Sequence, residues 1–460
     1  MMKKFNSRYL LMGVLLLFVV GMLAACGEKT EDAAQNEDAT NAPKEVVEIE
    51  WWHAMGGELG ERVNDIAVKF NESQDQYKVV PVYKGNYTET MTAAIAAFRA
   101  GEAPHIVQVF EVGTYSMMLS GAIKPIYELM DQYGVNFDQN NYIPPVITYY
   151  TNAEGKMMSM PFNSSTPVMY YNKTAFEKAG LDPNKPPKTW EEVGEYAKKL
   201  KDAGYDSGLT TTWQSWVMLE NFSAWHNVPF ATKENGFQGL DAELAINGDL
   251  QIRHLNQLAD WHKEGLFKYG GRRGEAGDMF INQQTAIIFD SSAGLASYKA
   301  NIKDFEFGMS KLPYWSDVEG APQNSIIGGA SLWVFDGHSD EEYKAVAAFM
   351  EFLSSPELQF WWHKETGYVP ITKAAYELAK EKGYYDEEPF QEIAIKQLMN
   401  KEPTENSKGI RLGNFVQIRD VINDELEYVW NGEKTAEEAL NSAVKRGNEL
   451  LREFEKTHKN

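Results

Sequence analysis

"VVEIEWWHAMGGELGERVNDIAVKFNESQDQYKVVPVY", residues 46–83, decides the fold because its hydrophobic period changes twice. It begins with the strand-like run VVEIEWW and ends with a second such run, YKVVPVY. Between them, apolar residues recur at intervals of three and four, at Leu59, Val63, Ile66, Ala67 and Phe70. That spacing places them on one face of a helix, so the stretch predicts a strand, a helix and a second strand.

The same order continues along the chain. Apolar residues from Met91 to Phe98 predict another helix, which Gly101 would cap, and HIVQVFEV predicts a third strand. A βαβαβ order predicts a parallel sheet with right-handed crossovers, and ligands of such sheets lie beyond the carboxyl ends of the strands. Three residues stand at those ends and predict a pocket there: His53, Tyr87 and Glu111.

Strands and helices alternate through the rest of the chain, which predicts an α/β protein. The runs VMYYN, TAIIF and GGASLWVF predict strands, and residues 190–203 predict a helix. Near the C-terminus, Thr435 and Glu438 form a capping box before a further apolar helical stripe. The length of 460 residues suggests two or three structural units.

The N-terminus has the pattern of an export signal. The basic segment MMKKFNSRYL precedes the apolar run LLMGVLLLFVVGML, and two alanines stand directly before Cys26. We therefore predict a lipoprotein signal peptide over residues 1–25, with a lipid on Cys26, and a solvated, lipid-anchored tether over residues 26–45. A membrane-spanning anchor is the alternative, because Tyr9 to Ala25 is 17 residues, the short limit for a span.

Composition and motifs argue against several classes of function. The formal charge of −22 argues against binding nucleic acid through a basic face, and the single cysteine excludes internal disulfides and cysteine-based zinc sites. The sequence has no P-loop, H-E-x-x-H or G-x-S-x-G motif, and its eight histidines show no metal-ligand spacing. The glycine-rich GGRRGEAG, residues 270–277, predicts a turn. These features favour a binding protein without cofactor or metal over an enzyme.

The segment PFNSSTPVMYYNKTAFEK, residues 161–178, resembles the signature of family 1 extracellular solute-binding proteins of ABC importers. Further motifs, from WWHAMGGELG through QNSIIGGASLWV to KGIRLGNFVQIR, are similar, in the same order, to those of the family's glycerol 3-phosphate receptors. This resemblance runs from about Glu48 to the C-terminus and implies a two-lobed periplasmic-binding-protein fold of the class II type, with a ligand cleft between the lobes. It places lobe 1 in residues 46–161 and 326–370, and lobe 2 in residues 162–325 and 371–460.

The resemblance also carries nine ligand-binding residues over to this chain. They are Tyr87, Glu111, Ser165, Trp213, Trp216, Ser291, Gly329, Tyr368 and Arg419. Asp290, directly before Ser291, departs locally from the family's pattern and sets an acidic group beside a proposed ligand contact.

The charged members of this set are open to two interpretations. Arg419 precedes Asp420, and a surface salt bridge is the ordinary role of such a pair; a phosphate ester, however, needs the bidentate donors of a guanidinium. Glu111 can only accept hydrogen bonds when ionised and would repel a phosphate. We therefore expect Glu111 to face the opposite end of the ligand, where it would bind glycerol hydroxyls.

The two tryptophans of the set are also open to two interpretations, as core residues or as ligand contacts. Periodicity alone favours core positions for Trp213 and Trp216, which stand three apart. With the resemblance, we expect both rings to cover the apolar face of a ligand or to attract the cation of a choline ester. Trp225 is expected in the core.

The sequence thus predicts a monomeric receptor outside the cytoplasm, held at the membrane by the lipid on Cys26. It would capture glycerol 3-phosphate or a glycerophosphodiester and deliver it to the permease subunits of an ABC importer by hinge closure, without binding nucleic acid. A sugar or oligosaccharide receptor on the same fold is one alternative. A tethered phosphodiester or glycan hydrolase is the other, although the sequence shows no water-activating base or metal site.

Overall fold

Two β-sheets organise the chain in the computed structural model, which describes residues 46–135 and 137–459. The predicted signal peptide, Cys26 and the tether lie outside the described residues. The strands are β1 Val47–His53, β2 Tyr77–Tyr83, β3 Ile106–Phe110, β4 Ile123–Lys124, β5 Met160–Ser165, β6 Pro167–Asn172, β7 Ser207–Thr211, β8 Thr285–Ser291, β9 Phe307–Ser310 and β10 Gly328–Phe335.

Helices of eight residues or more cover both sheets. They are α1 Gly57–Ser73, α2 Tyr87–Ala100, α3 Trp190–Asp202, α4 Asp249–Lys263, α5 Gly294–Asn301, α6 Asp340–Leu353, α7 Pro356–Thr366, α8 Lys373–Glu381, α9 Phe415–Trp430 and α10 Ala436–His458. Shorter helices include Thr114–Met118, Ile126–Gln132, Lys173–Lys178, Gly277–Ile281 and Ile393–Leu398, and a π-helix spans Trp216–Asn221. Among the described residues, no helix is long and apolar enough to cross a membrane.

The first sheet has the strand order β2-β1-β3-β10-β4, with β5 also paired to β10. Strand β1 runs parallel to both β2 and β3, so the predicted βαβαβ order and parallel pairing are confirmed. Strand β10 joins antiparallel from far along the sequence. Strand β3 ends at Phe110, earlier than the apolar run indicated, and Glu111 begins a single 3-10 turn that directs it away from the ladder.

The second sheet has the order β7-β8-β6-β9. Strand β5 stays in the first sheet through Ser165, and β6 begins the second sheet at Pro167, so the chain changes sheet at Thr166. The hydroxyl of Thr166 donates to Ser325 Oγ at 2.7 Å and to the Ile326 carbonyl at 3.1 Å. Because β10 begins at Gly328, two residues after Ile326, these bonds tie two crossings between the sheets together.

Local signals in the sequence explain where several helices begin and end. The αL conformation of Gly101, with φ of 76°, closes α2 as predicted. The predicted capping box of Thr435 and Glu438 begins α10. Apolar faces of α1, α2 and α6 pack on the first sheet, where Trp51 and Phe162 are almost fully buried. The strands whose carboxyl ends carry polar residues are therefore packed into a buried apolar core.

Candidate functional site

All nine residues that the resemblance carries over line one cavity of about 250 Å³. Both sheets contribute to its wall, Ser165 and Gly329 from the first and Ser291 from the second. Other lining residues were not singled out as ligand contacts from the sequence: Leu59, Phe110, Gly274, Asp290, Ala293, Gly294, Ser297 and Gly328. His53, expected near the pocket, does not line it, since it is buried at the end of β1 and burial lowers its pKa to about 4.

Tyr87 is fixed at the first turn of α2 by the capping box that Asn86 and Glu89 form. Its ring stacks on Phe110, with centroids 5.3 Å apart and planes 7° from parallel. Asn163 Nδ2 donates to the Tyr87 hydroxyl oxygen at 2.9 Å, and the Tyr87 hydroxyl proton faces the hydroxyl of Tyr368. Burial raises the pKa of Tyr87 well above its usual value, so that proton is retained.

Tyr368 follows Gly367, whose φ of 79° ends α7. Its ring stacks on Trp362 at 5.8 Å with an interplanar angle of 2°. Its hydroxyl lies in hydrogen-bonding reach of Tyr87 and Asn163. Two tyrosine hydroxyls thus meet at one end of the cavity.

Gly329 and Ser165 reach the same region from paired strands, since Gly329 lies beside Ser164 in the β5–β10 register. Gly329 has a φ of 89°, and a Cβ there would stand 1.8 Å from the Asn163 carbonyl oxygen. Only glycine fits this position, because the backbones approach too closely for a side chain. Ser165 is 3% exposed and lines the cavity.

Trp213 and Trp216 hold different backbone conformations, although they are only three residues apart. Trp213 has a φ of 44°, a strained value for a non-glycine residue, and its N–H donates to the Arg273 carbonyl at 2.9 Å. Trp216 opens the π-helix and is 5% exposed, and its Nε1 donates to the Ile327 carbonyl at 3.4 Å. A Cβ on Gly328 would lie 2.4 Å from the Trp216 ring, so this indole packs directly against the backbone of Gly328. Trp225 is buried in the core, as predicted.

Among the described residues, Arg419 on α9 is the only Lys or Arg that lines the cavity, and two carboxylates accept hydrogen bonds from its Nε and Nη2. Its Nε donates to Glu220 Oε1 at 2.8 Å, and its Nη2 donates to Glu220 Oε2 at 2.7 Å and to Glu111 Oε1 at 2.6 Å. The exposed fractions of the Arg419, Glu111 and Glu220 side chains are 11%, 4% and 0%. Among the described residues, no hydrogen bond reaches Nη1, whose two N–H groups remain as donors.

The buried triad of Arg419, Glu111 and Glu220 corrects two expectations. Glu111 was expected to face the end of the ligand opposite Arg419, but the two side chains form a direct ion pair. The alternative of a surface salt bridge to Asp420 is also wrong, because Arg419 is nearly buried and its partners are Glu111 and Glu220. Burial raises the pKa of Glu111, Arg419 opposes that shift, and repulsion from Glu220 adds to it. One cation therefore faces two buried carboxylates.

The sequence matches the family described as bacterial extracellular solute-binding protein over residues 65–389. The sn-glycerol-3-phosphate-binding periplasmic protein UgpB of Salmonella typhimurium is 52% identical over 415 residues, covering 90% of this chain and 94% of that protein. The UgpB of Yersinia pseudotuberculosis matches to the same extent, at 52% over 415 residues. The chain is a bacterial extracellular solute-binding protein.

Solved structures confirm the two-lobed fold of this solute-binding protein. UgpB from Mycobacterium tuberculosis, crystallised with glycerophosphocholine, superposes with a TM-score of 0.74 at 22% identity, covering 88% of this chain and 98% of that one. The GacH receptor of Streptomyces glaucescens, solved unliganded and with acarbose, gives a TM-score of 0.73 at 17% identity, covering 89% and 99%. At these identities the likeness shows the fold alone.

Glu220, which pairs with Arg419 beside the cavity, was not predicted from the sequence of this solute-binding protein. It is the only Asp, Glu, Lys or Arg between Asp206 and Lys233, and it stands in the apolar run WVMLENFSAW. A lone carboxylate in such a run signals a buried charge that needs a partner. The sequence could therefore have predicted a buried carboxylate that needs a partner. It could not have identified that partner as Arg419, which lies 199 residues away.

Two further features of the described residues lie outside the cavity. A larger groove of about 680 Å³, between α2 and α10, contains none of the nine residues. His105, His338 and Glu342 come close together, although the sequence showed no metal-ligand spacing. His105 Nδ1 accepts the Glu50 N–H at 3.0 Å, so its proton sits on Nε2, 3.2 Å from Glu342. In that tautomer neither ring nitrogen of His105 has a free lone pair for a metal ion, because Nδ1 accepts the Glu50 N–H and Nε2 carries the proton.

Proposed function

We propose that this protein captures glycerol 3-phosphate or a glycerophosphodiester outside the cytoplasm and delivers it to the permease of an ABC importer. The observation that carries the proposal is the convergence of nine residues from both sheets on one cavity. The relatives of 52% identity, which are named for binding sn-glycerol 3-phosphate, support this choice of ligand. The protein would bind and release its ligand unchanged, with the lipid on Cys26 holding it at the membrane as a monomer.

We propose further that the two sheets are the cores of two lobes that close on the ligand. Residues 46–165 and 326–370 would form the first lobe, and residues 167–325 and 371–460 the second. The first boundary then lies at Thr166 and not after Pro161, because β5 pairs with β10 through Ser165, and Thr166 would lie in the hinge. Ligand contacts from both lobes give the closed state its higher affinity, as a ligand-driven shift requires. An affinity on the order of micromolar would correspond to roughly −8 kcal/mol.

The charges of the site support one orientation of the ligand. Arg419 is already compensated by Glu111 and Glu220, so it offers little net charge to a phosphate. The free Nη1 donors beside the Glu111 acceptor match glycerol hydroxyls, which both donate and accept. The phosphate then lies among neutral donors: the hydroxyls of Tyr87, Ser165, Ser291 and Tyr368, with the bare backbone at Gly329.

Calorimetric titration with glycerol 3-phosphate, glycerophosphocholine and maltose tests the function. Saturable binding of a glycerol phosphate ester, without binding of maltose, is the expected result. Binding of maltose alone would show that the fold supports a sugar receptor and that the proposed ligand is wrong. Release of free alcohol from glycerophosphocholine would instead identify a hydrolase.

The orientation has its own test, a comparison of glycerol 3-phosphate with propane-1,3-diol monophosphate, which lacks one hydroxyl. The native protein should prefer glycerol 3-phosphate by about tenfold or more, because losing a hydrogen bond to a charged group costs about 1.5–3 kcal/mol. Glu111→Gln should reduce that preference, whereas Tyr368→Phe should weaken both ligands alike. The reverse pattern would place the phosphate at Arg419.

A further inference from the structure

Asp290 is a buried carboxylate in the wall of the cavity, and it has no cationic partner among the described residues. It is 7% exposed and stands at the end of β8. The Ser291 N–H donates to its Oδ1 at 2.7 Å and the Tyr298 hydroxyl donates to its Oδ2 at 2.6 Å. The Thr212 hydroxyl also donates to Oδ1. Burial raises the pKa of Asp290, and the three donors oppose that rise because they favour the ionised carboxylate. They leave the carboxylate about one acceptor position.

With Glu111 and Asp290 ionised, the lining of the cavity carries more negative than positive charge. Its charged lining residues are Glu111, Asp290 and Arg419, and the guanidinium of Arg419 is shared with Glu220 as well. A phosphate monoester carries close to two negative charges at neutral pH, since its second pKa is about 6. A phosphodiester carries one, and a phosphodiester of an ammonium alcohol carries none overall. Repulsion by the cavity increases with the ligand's negative charge, so it is weakest for the last of these.

Two indole rings line the same cavity as Asp290. Thr212, which binds the carboxylate, directly precedes Trp213, and the rings of Trp213 and Trp216 line the same cavity. A carboxylate beside indole rings attracts ammonium groups through charge and cation–π contact. Gly294 preserves the space around the carboxylate, because a Cβ there would stand 2.7 Å from Asp290 Oδ2.

Resting on the proposed function, we propose that Asp290, with Trp213, forms a subsite for the ammonium head group of a glycerophosphodiester. The subsite makes Asp290 a determinant of specificity, favouring zwitterionic diesters of ammonium alcohols over the phosphate monoester. The carboxylate of Asp290 supplies the charge that distinguishes these ligands.

The test isolates charge from shape with two probes. One is glycerophosphocholine, and the other is its neutral isostere, the glycerophosphodiester of 3,3-dimethylbutanol. The full chain should bind glycerophosphocholine about tenfold more tightly than the isostere. Asp290→Asn should reduce that ratio to about one and should tighten binding of glycerol 3-phosphate. Asn keeps an acceptor for Thr212 and Ser291, and the Tyr298 hydroxyl can rotate to accept from its amide, so the substitution fits the site.

Asp317→Asn is the matched control, because it removes the same charge from an exposed ion pair with Arg253 that does not line the cavity. It should leave the ratio unchanged. A ratio near one in the native protein would overturn the proposal even if Asp290→Asn failed to fold. A large ratio that survives in Asp290→Asn would also overturn it, since the cation would then be held elsewhere. Failure of every glycerol phosphate ester to bind would instead overturn the proposed function.

Discussion

Replacing Arg419 with Met tests whether the buried triad is organised around one cation. The substitution keeps an apolar stem of similar length but removes the donors that hold Glu220 at 2.7 and 2.8 Å and Glu111 at 2.6 Å. Both carboxylates are at most 4% exposed, so neither can recover its hydration. Breaking a buried ion pair in this way costs about 3–5 kcal/mol of unfolding free energy. With an unfolding entropy of about 2.1 cal/mol/K per residue, the loss corresponds to roughly 3–6 °C in Tm.

The pH dependence of that loss follows from the same contacts. Burial already raises the pKa of Glu111, and removing Arg419 takes away the charge that opposes the shift. The folded variant then binds more protons than its unfolded state, so its stability falls as pH rises. The difference from the native protein should therefore be smaller at pH 5.5 than at pH 7.5. Adding Glu111→Gln and Glu220→Gln should recover most of the loss.

Thermal and guanidinium unfolding at both pH values measure this effect. Arg253→Met is the control, because Arg253 pairs with Asp317 at 2.7 and 2.8 Å on the surface, with side chains 40% and 60% exposed. It should cost about 1 kcal/mol or less. A loss below about 1 kcal/mol for Arg419→Met, or a loss independent of pH, would refute the assigned role of the triad.

Three further predictions concern backbone strain, close approach and a buried histidine. Trp213→Gly should be about 1 kcal/mol more stable than Trp213→Ala, because glycine relieves the strain at φ of 44°, while calorimetry should show weaker ligand binding in both. Gly329→Ala should cost about 3 kcal/mol or more in urea unfolding, against about 1 for Gly337→Ala, where φ is 101° but a Cβ would meet nothing within 4 Å. Burial lowers the pKa of His363 to about 4, so its contribution to stability is present above pH 6.5 and lost as pH falls towards 4. In urea unfolding, His363→Gln should shrink the stability difference between pH 7 and 4.5 by about 2–3 kcal/mol, and an unchanged difference would contradict the assignment.

The first sheet was predictable from the sequence because its signals are local. The change from strand to helical periodicity between Trp52 and Val79 fixes two strands and their crossover, and the crossover forces parallel pairing. The pairing of β10 with β3 and β5 was not predictable from periodicity. Those partners lie more than 150 residues apart, and nothing in an apolar run such as GGASLWVF specifies its neighbours.

In the candidate site, too, some features could be predicted from the sequence and others could not. Its nine residues were reached by resemblance, and the structure brings all of them to one cavity wall. The contacts among these residues could not be predicted from the sequence, because the ion pair of Glu111 with Arg419, for example, joins positions 308 apart. The sequence also gave no sign of the strained φ of Trp213, or of the hydrogen bond from its N–H to the Arg273 carbonyl, 60 residues away.

The compensation of Arg419 bears on how the site would reject other anions. An unpaired guanidinium in a cavity binds oxyanions such as phosphate or sulfate without regard to what they are attached to. Here two carboxylates occupy three of its donor contacts, and the neutral hydroxyls of Tyr87 and Tyr368 form weaker bonds than charged donors would. Neither end alone then holds an anion firmly. In the proposed orientation, a ligand that satisfies both ends would carry hydroxyls and a phosphate at a fixed separation, and affinity would then depend on the whole glycerol phosphate unit.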